Sequence, residues 1–349
     1  MRDLLDDYAA LTATGQRVGR AVVTSVWGSA PRPEGACMLA TTGGRLAGSV
    51  SGGCVEGAVA TEIADALERG TPKLVTFGVS DERAWEVGLS CGGTIKVFVE
   101  PSVRPALLAA ARSDEGAVLA TVIQSASTTM RVGDSAVVGE KGAPDPTTDA
   151  HWLDDGLRSA AIAALAREAS ATIETAGPDG TPLSVFLEVF PRRPTLVIFG
   201  AVHIAAALVT FAKALGYYTV VADGRAAFLT RERFPDAHEL ILAWPAEAFA
   251  RIGLGPSTYV CLLSHDPKFD DPAMELALRS PARYIGAIGS KKTQTARRER
   301  LRTKGFSDTD LARLHGPIGL PLGGRAPAET ALAIIAQMTQ VRYRGGAAS

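Results

Sequence analysis

From Thr195 onward the chain alternates short, continuously apolar runs with helix-like stretches, and this rhythm limits the fold more than any other feature. The runs are TLVIFGA, YYTVVAD, ELILA, TYVCLLSHD and RYIGAIGS. A helix to Leu215 follows the first, one from Pro272 follows the fourth, and another follows Ser290. Strands that are apolar on both faces need cover on both faces, and helical connections supply it, so the sheet is parallel and doubly wound. The expectation is an α/β chain whose C-terminal part, 194–349, is a Rossmann-like parallel sheet closed by the helix APAETALAIIAQMTQV near Pro327.

The preceding text reads as an N-terminal mixed α+β domain over 1–103. AVVTSVWGSA and GACMLATTGGRLAGSV look like strands, the latter folded at a Gly43-Gly44 hairpin turn. Val55, Val59, Ile63 and Leu67 recur at helical spacing until Gly70, a C-cap. TPKLVTFGV and GTIKVFVEP add two strands. Over 104–193 the pattern weakens into a variable extension of this domain, with strand-like AVLATVIQ and SVFLEVF and a helix near DDGLRSAAIAALAREA. FPRRP at 190–194 reads as the linker out of it.

Several functional classes are excluded at this level. No run of 18 apolar residues occurs, and the start MRDLLDDYAA is acidic and amphipathic, so the expectation is a soluble cytoplasmic protein with no membrane partner. Thirty-six basic residues balance 37 acidic ones, which gives no global field for nucleic acid. The four cysteines, at 37, 54, 91 and 261, are scattered and form no CxxC pair, which speaks against a disulfide scaffold or a tetrahedral zinc site. Cys37 and Cys261 lie in strand-like runs and read as small buried hydrophobes. The first histidine is His151, so a hydrolase triad in the first domain has no base.

Two glycine-cysteine phrases remain. In GSVSGGCVEGAV, Cys54 follows Gly52 and Gly53 at the start of the helix that ends at Gly70, where the positive end of the helix favours a thiolate. Bare glycine amides beside it would be open to an anion or a flat ligand, and Glu56 in the first helical turn serves the dipole. In GLSCGGTI, Cys91 leads Gly92 and Gly93. Thiolates of this kind suit soft or high-valent metals and sulfur transfer. A plainer alternative stands beside this one: glycine pairs also serve tight turns.

The Rossmann half offers a second candidate. After its first strand come Gly200-Ala201-Val202-His203, where the dinucleotide fingerprint has a glycine in place of Val202. Asp223 ends the second strand, where an acidic residue takes a ribose hydroxyl. Ser264, His265, Asp266, Ser290, Lys291 and Lys292 end later strands, and with His203 they form either a crevice or an ordinary solvated rim. In the rim reading Asp271 caps the helix beginning at Pro272, and Arg297, Arg298 and Arg300 are the wet face of the Lys291 helix. The crevice reading admits an NAD(P)-dependent oxidoreductase with His203 or His265 as proton donor, against which the bulk of Val202 argues. A third option is a platform for a homodimer or partner.

Taken in order, GSAPRPEGACML, GRLAGSVSGGCVEGAV, FGVSDERAWEVGLSCGGTIKVFVEP, LVIFGAVHIAAAL, LLSHDPKFD, YIGAIGSKKT and HGPIGLPLGGRAPAETALAI resemble the xanthine dehydrogenase accessory protein family, XdhC/CoxI. The likeness covers 20–101 and 194–345. It implies a maturation factor rather than a catalyst, one that binds molybdenum cofactor, as molybdopterin or its cytosine dinucleotide form. Its partner would be an apo molybdenum hydroxylase, a xanthine dehydrogenase or aerobic carbon monoxide dehydrogenase, with a cysteine desulfurase as a further partner for sulfuration. The resemblance makes Cys91 the first cofactor contact, including contact to the metal, and Cys54 the second, within loops built from Gly52, Gly53, Gly92 and Gly93. The family phrase GAGH appears here as GAVH, which keeps Gly200 and His203 and alters the nucleotide turn between them.

Overall fold

The computed structural model describes residues 1–29, 31–78, 93–264 and 266–344, which form two compact units, Met1–Arg192 and Arg193–Ser349.

The first unit runs α1 (Leu5–Thr12), β1 (Val18–Trp27), β2 (Cys37–Thr41), β3 (Leu46–Gly48), α2 (Glu56–Arg69), β4 (Lys73–Phe77) and β5 (Thr94–Glu100). It continues through α3 (Pro105–Arg112), β6 (Ala117–Ser125), β7 (Ser135–Gly139), α4 (Asp155–Arg167), β8 (Ala171–Ala176) and β9 (Pro182–Phe190). Two antiparallel sheets result, ordered β3-β2-β1-β5-β4 and β7-β6-β9-β8. Strand alternation sorts the side chains into layers. Ala21 and Val23 of β1, with Val97 and Val99 of β5, meet Val59, Ile63 and Leu67 of α2. Their neighbours Val22 and Phe98 point the other way and meet Leu119 and Phe186 of the second sheet. The outer face of that sheet is covered by Leu157, Ala161 and Ala164 of α4. Residues 104–193 therefore share a core with the first sheet.

Arg20 lies between the two sheets at 1% exposure. Its guanidinium reaches Glu100 on β5 at 2.6 Å and Glu188 on β9, and the other oxygen of Glu100 accepts from Arg104. A buried charge is tolerable only when paired and hydrogen-bonded, and here one cation ties a carboxylate from each sheet.

The second unit runs β10 (Thr195–Phe199), α5 (His203–Ala214), β11 (Tyr218–Asp223), β12 (Glu239–Leu242), α6 (Pro245–Ile252), β13 (Thr258–Leu262) and α7 (Pro267–Arg279). It ends with β14 (Tyr284–Ala287), α8 (Lys291–Thr303), α9 (Asp308–Ala312), β15 (Leu314–His315) and α10 (Pro327–Arg344). Every strand pairing is parallel, in the order β12-β11-β10-β13-β14-β15. This doubly wound topology has its switch point between β10 and β13, where the strand order reverses. The Rossmann expectation for this region holds. Among the described residues no helix is long and apolar enough to cross a membrane.

Two sequence expectations fail here for identifiable reasons. Helix α7 does not begin at Pro272 under an Asp271 cap. It begins at Pro267, with the Asp266 carboxylate accepting from Lys268 N at 2.9 Å, and Pro272 lies inside it. A proline this early removes a single helical hydrogen bond, so the helix tolerates it. The arginines of α8 are not simply a wet face. Arg297 is 4% exposed and donates to Asp270 Oδ2 at 3.1 Å and to the carbonyl of Ile288 at 3.0 Å. Arg298 donates to the carbonyls of Leu311 and Leu314, and Arg300 grips Asp271 through two bonds of 3.0 Å. The ends of neighbouring elements carry carbonyls without helical partners, and α8 turns its arginines inward to satisfy them.

Candidate functional site

In the first unit, strand pairing decides which loops share an end of the sheet. Val22 pairs with Cys37, Met38 with Gly48, Trp27 with Thr94 and Phe77 with Ile95. The end of β1, the start of β2, the ends of β3 and β4 and the start of β5 therefore point the same way. The turn 28–36 and the loop 49–55 leave from that end, and the chain departing at Gly78 returns to it at Gly93. A Cβ on Gly93 would sit 2.5 Å from the carbonyl oxygen of Ser29, and one on Gly52 would touch Pro31 at 3.6 Å. The turn after β1 thus contacts both the SGGC loop and the last glycine of the CGG phrase. Cys91 and Gly92, together with His265 of the second unit, lie outside the described residues.

Glu56 organises the SGGC loop. Its Oε1 accepts from Ser49 Oγ (2.6 Å), Val50 N (3.2 Å), Ser51 N (2.9 Å) and Gly52 N (3.1 Å). Its Oε2 accepts from Ser51 Oγ (2.6 Å) and Gly53 N (2.9 Å). Partial burial pushes this carboxyl up, but the Ser49 and Ser51 hydroxyls and the loop amides outweigh it and hold the group at about 2. The amides of Gly52 and Gly53, expected from sequence to be open to an anion, are already engaged by this internal carboxylate. Consecutive N–H groups that converge in a turn form an anion-binding concavity, and the first residue of α2 fills it. Gly52 (φ 82°) and Gly53 (φ 123°) adopt backbone angles that make the convergence feasible.

Cys54 follows directly. Its amide donates to Ser51 Oγ at 3.1 Å, and the residue is half-buried against the α2 core. The helix proper starts two residues later. Trp27, at 80% exposure, closes β1 at the same end of the sheet. Sequence reasoning missed both Trp27 and the clamping role of Glu56. The signal for Glu56 was the run of serines and glycines immediately before an acidic first helical residue. For Trp27 it was a large aromatic ending a strand at a glycine turn. Cys37 and Cys261 are buried, as expected, and burial pushes the Cys261 thiol far up. Among the described residues no group of three or more His, Cys, Asp or Glu side chains is placed to hold a metal ion.

In the second unit the carboxyl ends of β10, β11 and β13 bring Gly200, Asp223 and Ser264 together. Gly200 has φ 109°, and a Cβ there would come within 2.7 Å of Ser264 N, so this glycine lets two strand-end turns abut. Val202, the N-cap of α5, packs partly against the apolar cluster beneath α5 and α10, and His203 is exposed. Asp223 is 2% exposed and fully employed. Oδ2 accepts from Ala201 N (2.8 Å) and Arg225 Nη2 (2.9 Å), and Oδ1 from Arg225 N and Nε (both 2.9 Å). Burial pushes its carboxyl up, yet the Arg225 bonds and those amides hold it below the usual range. Ser264 Oγ donates to the buried Asp270 at 2.5 Å, and Asp270 continues to Arg297. Part of the rim is thus a wired network rather than loosely solvated carboxylates. Ser290 caps α8, accepting from Thr293 N, while Lys291 and Lys292 are exposed.

Comparison with known proteins agrees with this layout. A family model described as the XdhC and CoxI family matches residues 11–78, and one described as the XdhC Rossmann domain matches 196–338. The chain is 27% identical to a Bacillus subtilis (strain 168) protein named as a probable xanthine dehydrogenase subunit, with 93% of each chain covered. It is also 27% identical to the Escherichia coli (strain K12) molybdenum cofactor insertion chaperone PaoD, over 97% of this chain and 90% of that one. A crystal structure of a Bacillus halodurans protein described as a xanthine dehydrogenase superposes with a TM-score of 0.73 at 27% identity, over 96% of this chain and 94% of that one. With one model on the glycine-cysteine half and the other on the doubly wound half, in the order the fold requires, the chain belongs to the XdhC and CoxI family.

Proposed function

We propose that this chain is a cytoplasmic maturation factor that holds molybdenum cofactor as cargo and passes it to an apo molybdenum hydroxylase of the xanthine dehydrogenase or aerobic carbon monoxide dehydrogenase type. The observation that carries this reading is the convergence of the SGGC loop, the turn after β1 and Gly93 at one end of the first sheet. The residues there suit such a cargo. Cys54 offers a soft sulfur donor matched to a sulfur-ligated molybdenum centre, and the exposed Trp27 offers a ring face to a planar pterin. The Glu56 clamp keeps the loop in one conformation before cargo arrives, which lowers the ordering cost of binding. The family resemblance adds Cys91, which precedes Gly92 and Gly93 in the sequence, as the first cofactor contact. A cysteine desulfurase would act on the cargo while it is held, and the cargo itself would be molybdopterin or its cytosine dinucleotide form.

Two relatives, one named for xanthine dehydrogenase and the other as a cofactor insertion chaperone, support the same assignment. A nicotinamide oxidoreductase is disfavoured, because the Asp223 carboxylate that would read a ribose is already engaged by Arg225 and Ala201. The test is to incubate the purified protein with molybdenum cofactor and measure bound pterin and molybdenum for wild type, Cys54→Ala and Cys91→Ala. Retention should fall about tenfold or more for Cys91→Ala and by a smaller factor for Cys54→Ala, with the folded state intact. Full retention by Cys91→Ala would remove that residue from the site.

A further inference from the structure

One end of the space between the two sheets of the first unit is polar, against the pattern of the rest. Deeper in, the facing residues are apolar, with Val22 and Phe98 against Leu119 and Phe186. Toward the end where the glycine-cysteine loops leave, each sheet carries an irregularity on a central strand, between Val23 and Ser25 on β1 and between Val122 and Gln124 on β6. A bulge re-aims the side chains beyond it. Past the first one Val26 joins the α2 core, so Ser25 and Trp27 stand on the opposite face, the side of Lys96. From the second sheet Gln124, Thr172, Glu174 and Ser184 meet Ser25 and Lys96 around a cavity of about 230 Å³, with the buried Ile123 lining it. Thr172 Oγ1 donates to the Thr24 carbonyl at 2.7 Å and ties the two walls together.

This cavity holds an ammonium and a carboxylate that do not pair. Among the described residues the Lys96 amine has no partner, and the Glu174 carboxylate has one, Ser184 Oγ, which donates to Oε2 at 2.7 Å. Ser184 is 8% exposed, so a buried hydroxyl sets the carboxylate in place and leaves Oε1 unbonded. A fixed acceptor and a free donor in one cavity suit a ligand that presents donors and an acceptor along one edge. A 2-amino-4-oxopyrimidine ring, as in a pterin, has such an edge: an amino group and a ring N–H side by side for a carboxylate, then a carbonyl for an ammonium. Trp27, 80% exposed on the same side, adds a ring to stack on it. An amino-acid zwitterion matches the two charges but uses no ring. The cavity is smaller than the roughly 300–1,000 Å³ of sites for whole drug-sized ligands, which suits one fused ring system rather than an entire cofactor.

We infer that this mouth between the sheets seats the pterin head of the cargo, with Glu174 accepting from its amino edge, Lys96 donating to its carbonyl and Trp27 covering one face. The inference rests on the delivery reading and deepens it, because it separates the seat of the ring from the cysteines that would meet the metal. Lys96, Gln124, Thr172, Glu174 and Ser184 all lie outside the family-matched regions 11–78 and 196–338. Recognition of the ring would thus come from a part of this chain that those regions do not include.

The test is to titrate the full-length protein into dilute pterin, or into lumazine, which has a carbonyl in place of the amino group, and to follow the fluorescence of the ring. Pterin should bind with a dissociation constant on the order of 0.1 mM. Lumazine should bind about tenfold more weakly or worse, because a site built for an N–H edge is left with an unpaired acceptor. Glu174→Gln keeps an oxygen for Ser184 and offers the ring an NH2 instead of an acceptor. It should weaken pterin by about tenfold or more, narrow or reverse the preference over lumazine, and leave the melting temperature unchanged. Lys96→Met should weaken both rings. Any of four results would overturn the inference: no fluorescence change up to ~1 mM protein, equal affinity of wild type for the two rings, Glu174→Gln binding pterin as tightly as wild type, or displacement of pterin by an equal concentration of L-cysteine. Pterin carries no metal, so Cys91→Ala should bind it as wild type does. Cofactor retained without pterin binding would sink this seat alone, and pterin bound without cofactor retention would sink the delivery reading alone.

Discussion

Replacing Arg20 by alanine is expected to lower the stability of the first unit by about 3–5 kcal/mol. The residue is buried between two sheets, with Glu100 and Glu188 as its partners at 6% and 4% side-chain exposure. Removing the cation leaves both carboxylates in a low-dielectric interior, with Arg104 reaching only Glu100. The penalty comes from those orphaned charges rather than from the worth of the pair, because an ion pair in an interior gains little over well-packed apolar groups. The triple variant Arg20→Met, Glu100→Leu, Glu188→Leu should therefore recover much of the loss, though not all, since Arg104 then loses Glu100. Hydrogen exchange of peptides from β1, β5 and β9 reads this unit without interference from the second. A loss below about 1 kcal/mol for Arg20→Ala would mean that water reaches the cluster.

Glu56→Gln is expected to cost about 1–3 kcal/mol at pH 7, discounted for the partial exposure of the group, and to make that cost depend on pH. Glutamine keeps one oxygen but turns an NH2 toward amides and hydroxyls that all donate, so the loop from Ser49 to Cys54 loses its closure. The folded carboxyl sits at about 2 against an ordinary value of 4.5, a depressed group. Its stabilisation is fully present above the ordinary value and fades as pH falls toward the folded one. The gap between wild type and variant should thus be widest at neutral pH and close between pH 4.5 and about 2. Exchange rates of the loop amides at pH 7 and pH 3 provide the comparison. A gap that stayed constant down to pH 3 would show that the clamp is not ionic.

How much of this was legible beforehand depended on where the determining contacts lie. The parallel sheet could be read because β10, β11 and β13 are buried on both faces and so appear as unbroken apolar runs. Strand β8 could not, because ATIETA lies at a sheet edge and is only half-buried along much of its length. The two-residue β15 and the short α9 are below the length at which periodicity carries a signal. Arg297 looked solvated because nothing in a run of lysines and arginines shows that one of them faces Asp270, some 27 positions earlier. At the candidate site, the glycines and Cys54 stood out by themselves, whereas the fate of their amides depended on Glu56. Asp223 was placed correctly at a strand end, but its engagement by Arg225, two residues on, was not anticipated.

Strand β1 joins the interior charge cluster to the end of the sheet where the glycine-cysteine loops lie. Its Arg20 is clamped between the sheets, and seven residues later, roughly 23 Å along an extended strand, Trp27 emerges beside the glycine-cysteine loops. One end of the strand is thus held by buried charge, and the other, still paired with β5, presents an exposed ring. Side chains at the exposed end can therefore be exchanged at little cost to the buried cluster that anchors the strand.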